Sequence, residues 1–270
     1  MFFDKLFDVS REIVIITGVS GQLGIEYAKV FLERKACVIG LDVQSSSKNE
    51  LLINNFPELY NFYFANVCDG ISLQSVLTDI LKKYGAPTVL INNAGIDASP
   101  SASEKENGPF ESYSEDSWDT VLDVNLKGVY LCCQVFGSAM SENGKGSIIN
   151  ISSIYGNVSP DQSLYEYRRN RGEIFYKPIG YAVSKSGILN LTRYLAVYWS
   201  QKGVRVNTLT IAGVFNNQDQ EFLSAYCKRI PIGKMANPDD YNGAVLFLAS
   251  SASSYMTGAN LIVDGGWTSI

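Results

Sequence analysis

The sequence predicts a doubly wound α/β fold, in which helices cover both faces of a seven-stranded parallel sheet. Short, almost continuously apolar segments alternate with longer segments of helical periodicity along the 270 residues. Such strands are typical of a parallel sheet that is buried on both faces. No break in composition and no internal repeat divides the chain, so we expect residues 1–270 to form one domain.

Seven apolar segments are predicted as strands, at residues 13–17, 37–41, 59–65, 88–91, 147–151, 204–209 and 260–263. Helical periodicity predicts five helices, at residues 23–33, 73–84, 118–140, 181–201 and 238–249. Two polar stretches, at about 97–117 and 158–178, interrupt the alternation. Both follow strands, and ligands bind at the carboxyl ends of the strands in such sheets. We therefore expect both loops to border the functional site.

The amino-acid composition excludes several classes of catalytic site and binding partner. The chain contains no histidine, which excludes Ser-His-Asp and Cys-His catalysis and every His-ligated zinc site. A proton donor or acceptor near neutral pH must then be Tyr, Lys, Asp, Glu or Cys with a shifted pKa. The net charge of −5 argues against a general nucleic-acid binder or a binder of anionic membranes.

The five cysteines have neither disulfide nor metal-ligand spacing, which favours reduced thiols and predicts no metal site. No apolar run approaches the length of a membrane span, and the first residues lack a long apolar segment. We therefore expect a cytoplasmic location.

A glycine-rich segment, Gly-Val-Ser-Gly-Gln-Leu-Gly at 18–24, lies between the first predicted strand and helix. Glycine permits a tight turn and close approach of the backbone to a pyrophosphate, and the helix N-terminus attracts that anion. Asp42 ends the second predicted strand, where a carboxylate can bind ribose hydroxyls and would repel a 2′-phosphate. This pattern predicts a Rossmann-type site that prefers NAD(H) over NADP(H).

Tyr181 and Lys185 lie four residues apart at the start of a predicted helix and therefore share one face. An ammonium group beside a phenol favours the phenolate and lowers its pKa. The pair could thus act as an acid and base without histidine.

Further motifs occur in a fixed order around this pair. Asn-Asn-Ala-Gly at 92–95 follows the fourth predicted strand, Asn125 lies in the long helix, and Ser153 follows the fifth strand. With Ile-Val-Asp-Gly-Gly at 262–266, this set resembles the short-chain dehydrogenase/reductase family, in its shorter single-domain branch. The resemblance covers nearly the whole chain.

The resemblance implies a role for each matching residue. Tyr181 would exchange a proton with the substrate, Lys185 would tune Tyr181 and hold the nicotinamide ribose, Ser153 would bind the reacting oxygen, and Asn125 would hold a water in the proton path. The residues expected to contact the cofactor are Gly18, Ser20, Gly21, Gln22, Leu23, Gly24, Asp42, Asn66, Val67, Asn93, Ala94, Gly95, Tyr181, Lys185 and Val214. Asn66 stands where the family usually has Asp. Val214 lies in a loop that lacks the family's usual proline.

The stretch at 158–178 is longer than the family usually has, and it contains Arg168, Arg169 and Arg171. Arginine suits phosphate or carboxylate, and tyrosine suits a sugar ring. With Tyr155, these residues predict a phosphorylated or nucleotide-linked sugar as substrate. A solvated or oligomer-contacting insertion is the alternative interpretation. The insertion is also similar to that of bacterial flagellin-modification and surface-sugar oxidoreductases.

Together these patterns predict an NAD(H)-dependent oxidoreductase that interconverts a secondary alcohol and a ketone of a sugar derivative. A 3-oxoacyl-carrier-protein reductase or general ketone reductase is an alternative, although Asp42 disfavours the NADPH that such enzymes generally use. A catalytically silent NAD-binding protein is a second alternative, which the complete set of motifs disfavours. The resemblance also implies a homo-oligomer, either a dimer or a tetramer.

Overall fold

The computed structural model describes residues 4–97 and 103–270. These residues form seven strands: β1 (Ile13–Thr17), β2 (Cys37–Asp42), β3 (Tyr60–Phe64), β4 (Val89–Asn92), β5 (Gly146–Ser153), β6 (Val204–Ile211) and β7 (Asn260–Val263). All pair in parallel in one sheet of order β3-β2-β1-β4-β5-β6-β7. The predicted fold class is therefore confirmed. The strand order reverses between β1 and β4, which opens a crevice at their carboxyl ends.

Eleven α-helical segments are described: α1 (Gln22–Leu32), α2 (Ser47–Asn55), α3 (Gly70–Lys83), α4 (Glu104–Asn107), α5 (Glu115–Leu122), α6 (Gly128–Cys132), α7 (Ser138–Asn143), α8 (Glu166–Asn170), α9 (Ile179–Trp199), α10 (Gln220–Cys227) and α11 (Asn242–Ala249). The predicted loop at 97–117 contains α4 and a 3-10 turn, and its residues 98–102 lie outside the described residues. The predicted loop at 158–178 contains α8 and is here called the insertion.

The sequence prediction missed α2 and α10, and it assigned the segments that contain the short helices α4 and α8 to loops. Helix α2 buries only Asn49 and Leu52, so its apolar periodicity is too weak to detect. The long helix predicted at 118–140 is continuous but not uniform, because π-helical turns at Asp123–Lys127 and Cys133–Gly137 interrupt it. Such turns are frequent at functional sites, and the first contains the fully buried Asn125.

The apolar core lies in two layers, because successive side chains of a strand point to opposite faces of the sheet. Val14 packs in the layer with α1 and α11, whereas Ile15 packs in the layer with α3 and α9. A third cluster lies beyond the carboxyl edge, where Tyr165 and Phe175 of the insertion pack with Tyr226 of α10. Within residues 4–97 and 103–270, no helix is long and apolar enough to cross a membrane.

Candidate active site

In the glycine-rich loop after β1, two glycine positions have no room for a side chain. Gly18 has a φ of 64°, and a Cβ there would lie 2.7 Å from the Cα atom of Ala94. A Cβ on Gly24 would lie 2.4 Å from the carbonyl oxygen of Gly18. Gly21 is the N-cap of α1 and provides no side-chain cap. The N-terminal amides of α1 therefore face this bare loop, as a pyrophosphate site requires.

Asp42 is held rigidly at the end of β2. Its two carboxylate oxygens accept hydrogen bonds from the backbone N–H groups of Ser20 (2.9 Å) and Gln44 (3.3 Å). The hydroxyl of Ser20 donates to the carbonyl oxygen of Gln44 at 2.7 Å. These bonds fix a negative charge at the edge of the crevice, in the place expected for a ribose-binding carboxylate.

The crevice is a groove of about 460 Å³, and most of the predicted cofactor residues line it: Gly18, Gly21, Gln22, Leu23, Asp42, Asn66, Val67, Asn93, Ala94, Gly95 and Val214. Ser20 and Gly24 are not among the lining residues, but Ser20 binds Asp42 and Gly24 packs against the carbonyl oxygen of Gly18. Asn93 joins the two central strands, because its side-chain amide donates to the carbonyl oxygens of Thr17 and Gly18, both at 3.0 Å. The bare loop, open helix terminus and fixed carboxylate fit a dinucleotide such as NAD.

The four predicted catalytic residues converge at the carboxyl edge of the sheet. Tyr181 and Lys185 lie on α9, and Ser153 ends β5. The ammonium of Lys185 donates to the carbonyl oxygen of Ile151 at 3.0 Å. A Cβ on Gly95 would lie 3.4 Å from both the Lys185 ammonium and the Asn125 side-chain oxygen, so the loop after β4 brings Gly95 next to both of these side chains.

Ser152, Ser184 and Gly156, which the sequence analysis did not single out, hold this arrangement together. The hydroxyl of Ser152 donates to the carbonyl oxygen of Lys185 at 2.9 Å. Ser184 accepts from the amide of Asn125 (3.2 Å) and donates to the carbonyl oxygen of Tyr181 (2.7 Å). A Cβ on Gly156 would lie 2.8 Å from the same Lys185 oxygen. The end of β5 is therefore packed tightly against α9.

The acid–base properties of the pair differ from the sequence prediction. Burial raises the pKa of the Tyr181 hydroxyl, Asp97 raises it further, and a hydrogen bond with Ser153 opposes the rise. Burial also lowers the pKa of Lys185 to about 8, against the opposing charge of Asp97. The expected lowering of the phenol pKa by Lys185 is not seen, because the ammonium lies 5.7 Å from the Tyr181 ring centroid and binds Ile151.

A cavity of about 760 Å³ opens above Tyr181, and Ser153 and Tyr155 also line it. Of the three arginines predicted to bind substrate, only Arg168 contributes to the lining. Its guanidinium donates to the carboxylate of Glu173 at 2.6 Å and lies 4.2 Å from the ring centroid of Phe175. The positive charge at this wall is therefore already matched by a carboxylate.

Arg169 and Arg171 do not line the described cavity. Arg169 donates to the carbonyl oxygens of Phe175 (3.0 Å) and Gln162 (2.8 Å), and it thereby connects the beginning and the end of the insertion. Arg171 is paired with Glu221 on the exposed side. Both side chains form contacts that stabilise the insertion and its neighbours. This corrects the expectation that all three arginines face a phosphorylated substrate.

Lys177, which the sequence alone does not identify as a site residue, also lines this cavity. Its ammonium is 4.9 Å from the ring centroid of Tyr181 and 5.9 Å from that of Tyr155. It forms an ion pair with Asp97, which follows β4. Gln162 holds the backbone of Lys177, accepting from its N–H at 2.8 Å and donating to its carbonyl oxygen at 3.0 Å.

Comparison with known proteins agrees with this geometry. The family model described as "Enoyl-(Acyl carrier protein) reductase" matches residues 18–268. The chain is 28% identical to the D-threitol dehydrogenase of Mycolicibacterium smegmatis, over 97% of this chain and 95% of that protein. It is 31% identical to the 3-oxoacyl-[acyl-carrier-protein] reductase of Thermotoga maritima, over 94% of this chain and 97% of that protein.

A similar solved structure is that of a short-chain dehydrogenase from Leptospira borgpetersenii with bound NAD⁺. The two chains superpose with a TM-score of 0.86 at 33% sequence identity, and the match covers 99% of this chain and 97% of that one. None of these comparisons supports the expected similarity to flagellin-modification enzymes. Fold, site geometry and relatives agree that the chain belongs to the short-chain dehydrogenase/reductase family and is an oxidoreductase of alcohols and ketones.

Proposed function

We propose that this protein is an NAD(H)-dependent dehydrogenase of uncharged polyols, acting on a secondary hydroxyl group. One observation carries the proposal: Tyr181 and Ser153 face a cavity that adjoins the dinucleotide groove. Leu23 and Val214 line both spaces. A substrate carbon in the cavity can therefore reach a cofactor in the groove.

In the proposed reaction, the cofactor provides hydride transfer and the side chains of the protein provide proton transfer. Bound nicotinamide supplies the hydride acceptor for oxidation, and the hydride donor for reduction. During oxidation, Tyr181 first releases its own hydroxyl proton, and the resulting phenolate oxygen then takes the proton of the substrate hydroxyl. The Ser153 hydroxyl holds the same substrate oxygen. Lys185 and Asn125 both lie next to Gly95, and we assign them to the route by which the proton would leave. A buried, neutral Tyr181 is suited to donate the proton in the reverse reaction.

The charges around the cavity favour an uncharged substrate. Arg168 is paired with Glu173, and Lys177 is paired with Asp97. Because each lining cation already has a carboxylate partner, little net positive charge remains at this wall to attract a phosphate or nucleotide. The similarity to a D-threitol dehydrogenase supports an acyclic polyol. We therefore do not retain a phosphorylated or nucleotide-linked sugar as the proposed substrate.

A substrate screen with a Tyr181→Phe variant tests the proposal. We expect the wild type to reduce NAD⁺ with at least one three- to six-carbon polyol. The variant should lose about 10²–10⁴-fold in kcat, because it lacks the proton-exchanging hydroxyl. Its affinity for NADH, measured by fluorescence titration, should be retained. Tyr194→Phe is the matched control, because Tyr194 is 65% exposed on the same helix. Full activity of Tyr181→Phe would refute the mechanism.

A preference for NAD over NADP is part of the proposal and rests on Asp42. Val43 is 66% exposed and lines the groove beside Asp42. We expect an Asp42→Ala, Val43→Arg double variant to improve kcat/KM with NADP⁺ relative to NAD⁺, because it replaces a repulsive charge by an attractive one. The single variant Val43→Arg keeps the bonds of Asp42 and separates the two effects. A wild type that already prefers NADP⁺ would contradict this assignment.

A 3-oxoacyl reductase is the second candidate, favoured by the relative from Thermotoga maritima. Reduction of an acetoacetyl thioester with NADPH, at a higher kcat/KM than any polyol oxidation, would replace the first proposal by the second.

The homo-oligomer also stays a prediction. Val197 and Tyr198 are 78% and 60% exposed on α9, so a self-associating face is available, and sedimentation velocity measures its use.

A further inference from the structure

An ion pair crosses the cavity beside Tyr181. Asp97 follows β4 and Lys177 ends the insertion, so the pair joins two chain segments that are remote in sequence. The Lys177 side chain is 12% exposed and that of Asp97 is 34% exposed. Both residues line the same cavity as Ser153 and Tyr181. The pair is therefore partly desolvated, yet open to a molecule in the cavity.

The chemistry of this pair matches one kind of substrate group. A lysine ammonium has three N–H donors and no acceptor, so a bond to Asp97 leaves donors for a ligand. A carboxylate has several acceptor positions and no donor. A hydroxyl group is both donor and acceptor, so it can receive a bond from Lys177 and give one to Asp97. A hydrocarbon group at this place could do neither.

Both partners are held in position. The side-chain amide of Gln162 binds both backbone groups of Lys177, at 2.8 and 3.0 Å. The residue before Asp97, Ile96, is bound through both of its backbone groups by Asn125, at 2.7 and 2.8 Å. The pair therefore has a fixed location relative to Tyr181, whose ring centroid is 4.9 Å from the ammonium.

We propose that Lys177 and Asp97 determine substrate specificity by binding a second hydroxyl group of the polyol, close to the hydroxyl that Tyr181 deprotonates. This inference rests on the proposed function and adds a requirement to it. The site selects alcohols that carry a further hydroxyl beside the reacting carbon. A simple alcohol of equal length reaches Tyr181 but leaves the ion pair without a ligand.

The experiment compares two four-carbon alcohols, D-threitol and 2-butanol, with Lys177→Met, Asp97→Asn and the double variant. Each single variant should lower kcat/KM for D-threitol about 10–100-fold, since a hydrogen bond to a charged group contributes roughly 1.5–3 kcal/mol. The effect should fall mainly on KM. In the double variant, which retains no unpaired charge from the pair, kcat/KM for D-threitol should fall about tenfold further than kcat/KM for 2-butanol, because the loss of Asp97 beside Tyr181 affects both alcohols alike. Lys82→Met and Glu58→Gln, both exposed, are matched charge controls.

The possible outcomes distinguish the specificity role of the ion pair from the proposed dehydrogenase function. If D-threitol and 2-butanol lose activity equally in the double variant, the pair is structural and the specificity role is wrong. If the wild type oxidises D-threitol and the variants do so unchanged, the inference fails while the proposed function stands. If the wild type oxidises none of the three- to six-carbon polyols of the screen with NAD⁺, the proposed function and the inference fall together; if D-threitol alone fails, the best polyol of that screen takes its place in the comparison. Partial recovery of D-threitol activity in Lys177→Arg, relative to Lys177→Met, supports a role for the positive charge.

Discussion

Asn125 binds Ile96 through both ends of its side-chain amide. It accepts from the backbone N–H of Ile96 at 2.7 Å and donates to the carbonyl oxygen of the same residue at 2.8 Å. Asn125 is fully buried in the first π-helical turn. The asparagine thus fixes the backbone after β4, next to Asp97, in addition to any part in proton transfer.

Replacing Asn125 should therefore affect stability as well as turnover. We expect Asn125→Ala to lower the free energy of unfolding by about 2–4 kcal/mol, because two backbone groups lose their partner in a buried place. Asn125→Asp should also be destabilising, since a carboxylate cannot donate to the Ile96 carbonyl oxygen. Urea denaturation gives these values, and Asn143→Ala, at an exposed helix end, is the control. Equal stability of Asn125→Ala and the control would show that the pairing with Ile96 is dispensable.

Two glycines in helices should respond in opposite directions to alanine. Gly24→Ala places a Cβ 2.4 Å from a backbone oxygen, so we expect a loss of about 1–3 kcal/mol and weaker NADH binding. Gly243 lies in α11 with open space around its Cβ position, so Gly243→Ala should gain about 0.5–1 kcal/mol. Thermal unfolding and NADH titration measure both variants. Unchanged NADH affinity in Gly24→Ala would contradict the role assigned to the loop.

The two arginines outside the cavity should differ in their effect on the insertion. Arg169→Ala removes donors to two backbone carbonyl groups, so the free energy of unfolding should fall by about 1–3 kcal/mol. Chymotrypsin should also cleave the insertion faster. Arg171→Ala breaks an exposed ion pair and should cost less than about 1 kcal/mol. Neither change should select between polyols and simple alcohols. A selective loss of polyol activity in Arg171→Ala would place that side chain at the substrate.

Lys185 should make stability depend on pH in the alkaline range. Its folded-state pKa is about 8, below the ordinary value of 10.5, so the unfolded chain binds more protons between these values. The lysine's contribution to stability is therefore least favourable below about pH 8 and rises as the pH increases to 10.5. We expect the wild type to gain roughly 3 kcal/mol relative to Lys185→Met across this window.

Urea denaturation at a series of pH values measures this difference. The lost bond to Ile151 adds a constant that does not depend on pH, so only the slope reports the titration. Lys82→Met, at an exposed position on α3, should show no such slope relative to the wild type. Parallel curves for the wild type and Lys185→Met would mean that Lys185 keeps an ordinary pKa in the folded protein.

The sequence predicts the sheet well because each strand has a strong local signal. The segment at 13–17 is β-branched and apolar, and it forms β1 with the predicted bounds. Helix α2 lacks such a signal, since the residues that it buries are Asn49 and a single leucine, Leu52. The π-helical turn around Asn125 is invisible for another reason. Asn125 in this turn forms hydrogen bonds with Ile96 and Ser184, which lie far away in the chain, so no local pattern of residues marks it.

Side-chain partners were the hardest feature to predict. Tyr181 and Lys185 stand out because their spacing places them on one face of a helix. Arg169 and Arg171 also stand out, but their neighbours in space, Gln162 and Glu221, determine what they do. Lys177 carries no local signal, because Asp97 lies 80 residues away. Composition identifies charged groups, whereas the fold determines which of them neutralise each other.

The double hydrogen bond between Gln162 and Lys177 has a consequence for how this enzyme could change. These two bonds hold the ends of the loop formed by residues 163–176 next to each other. Lengthening, shortening or exchanging that loop would alter the cavity wall and leave the sheet, the dinucleotide groove and Tyr181 in place. Substrate range could therefore be redesigned, or diversify naturally, by replacing one segment and the small cluster that it forms with α10, without changing the two core layers on the sheet.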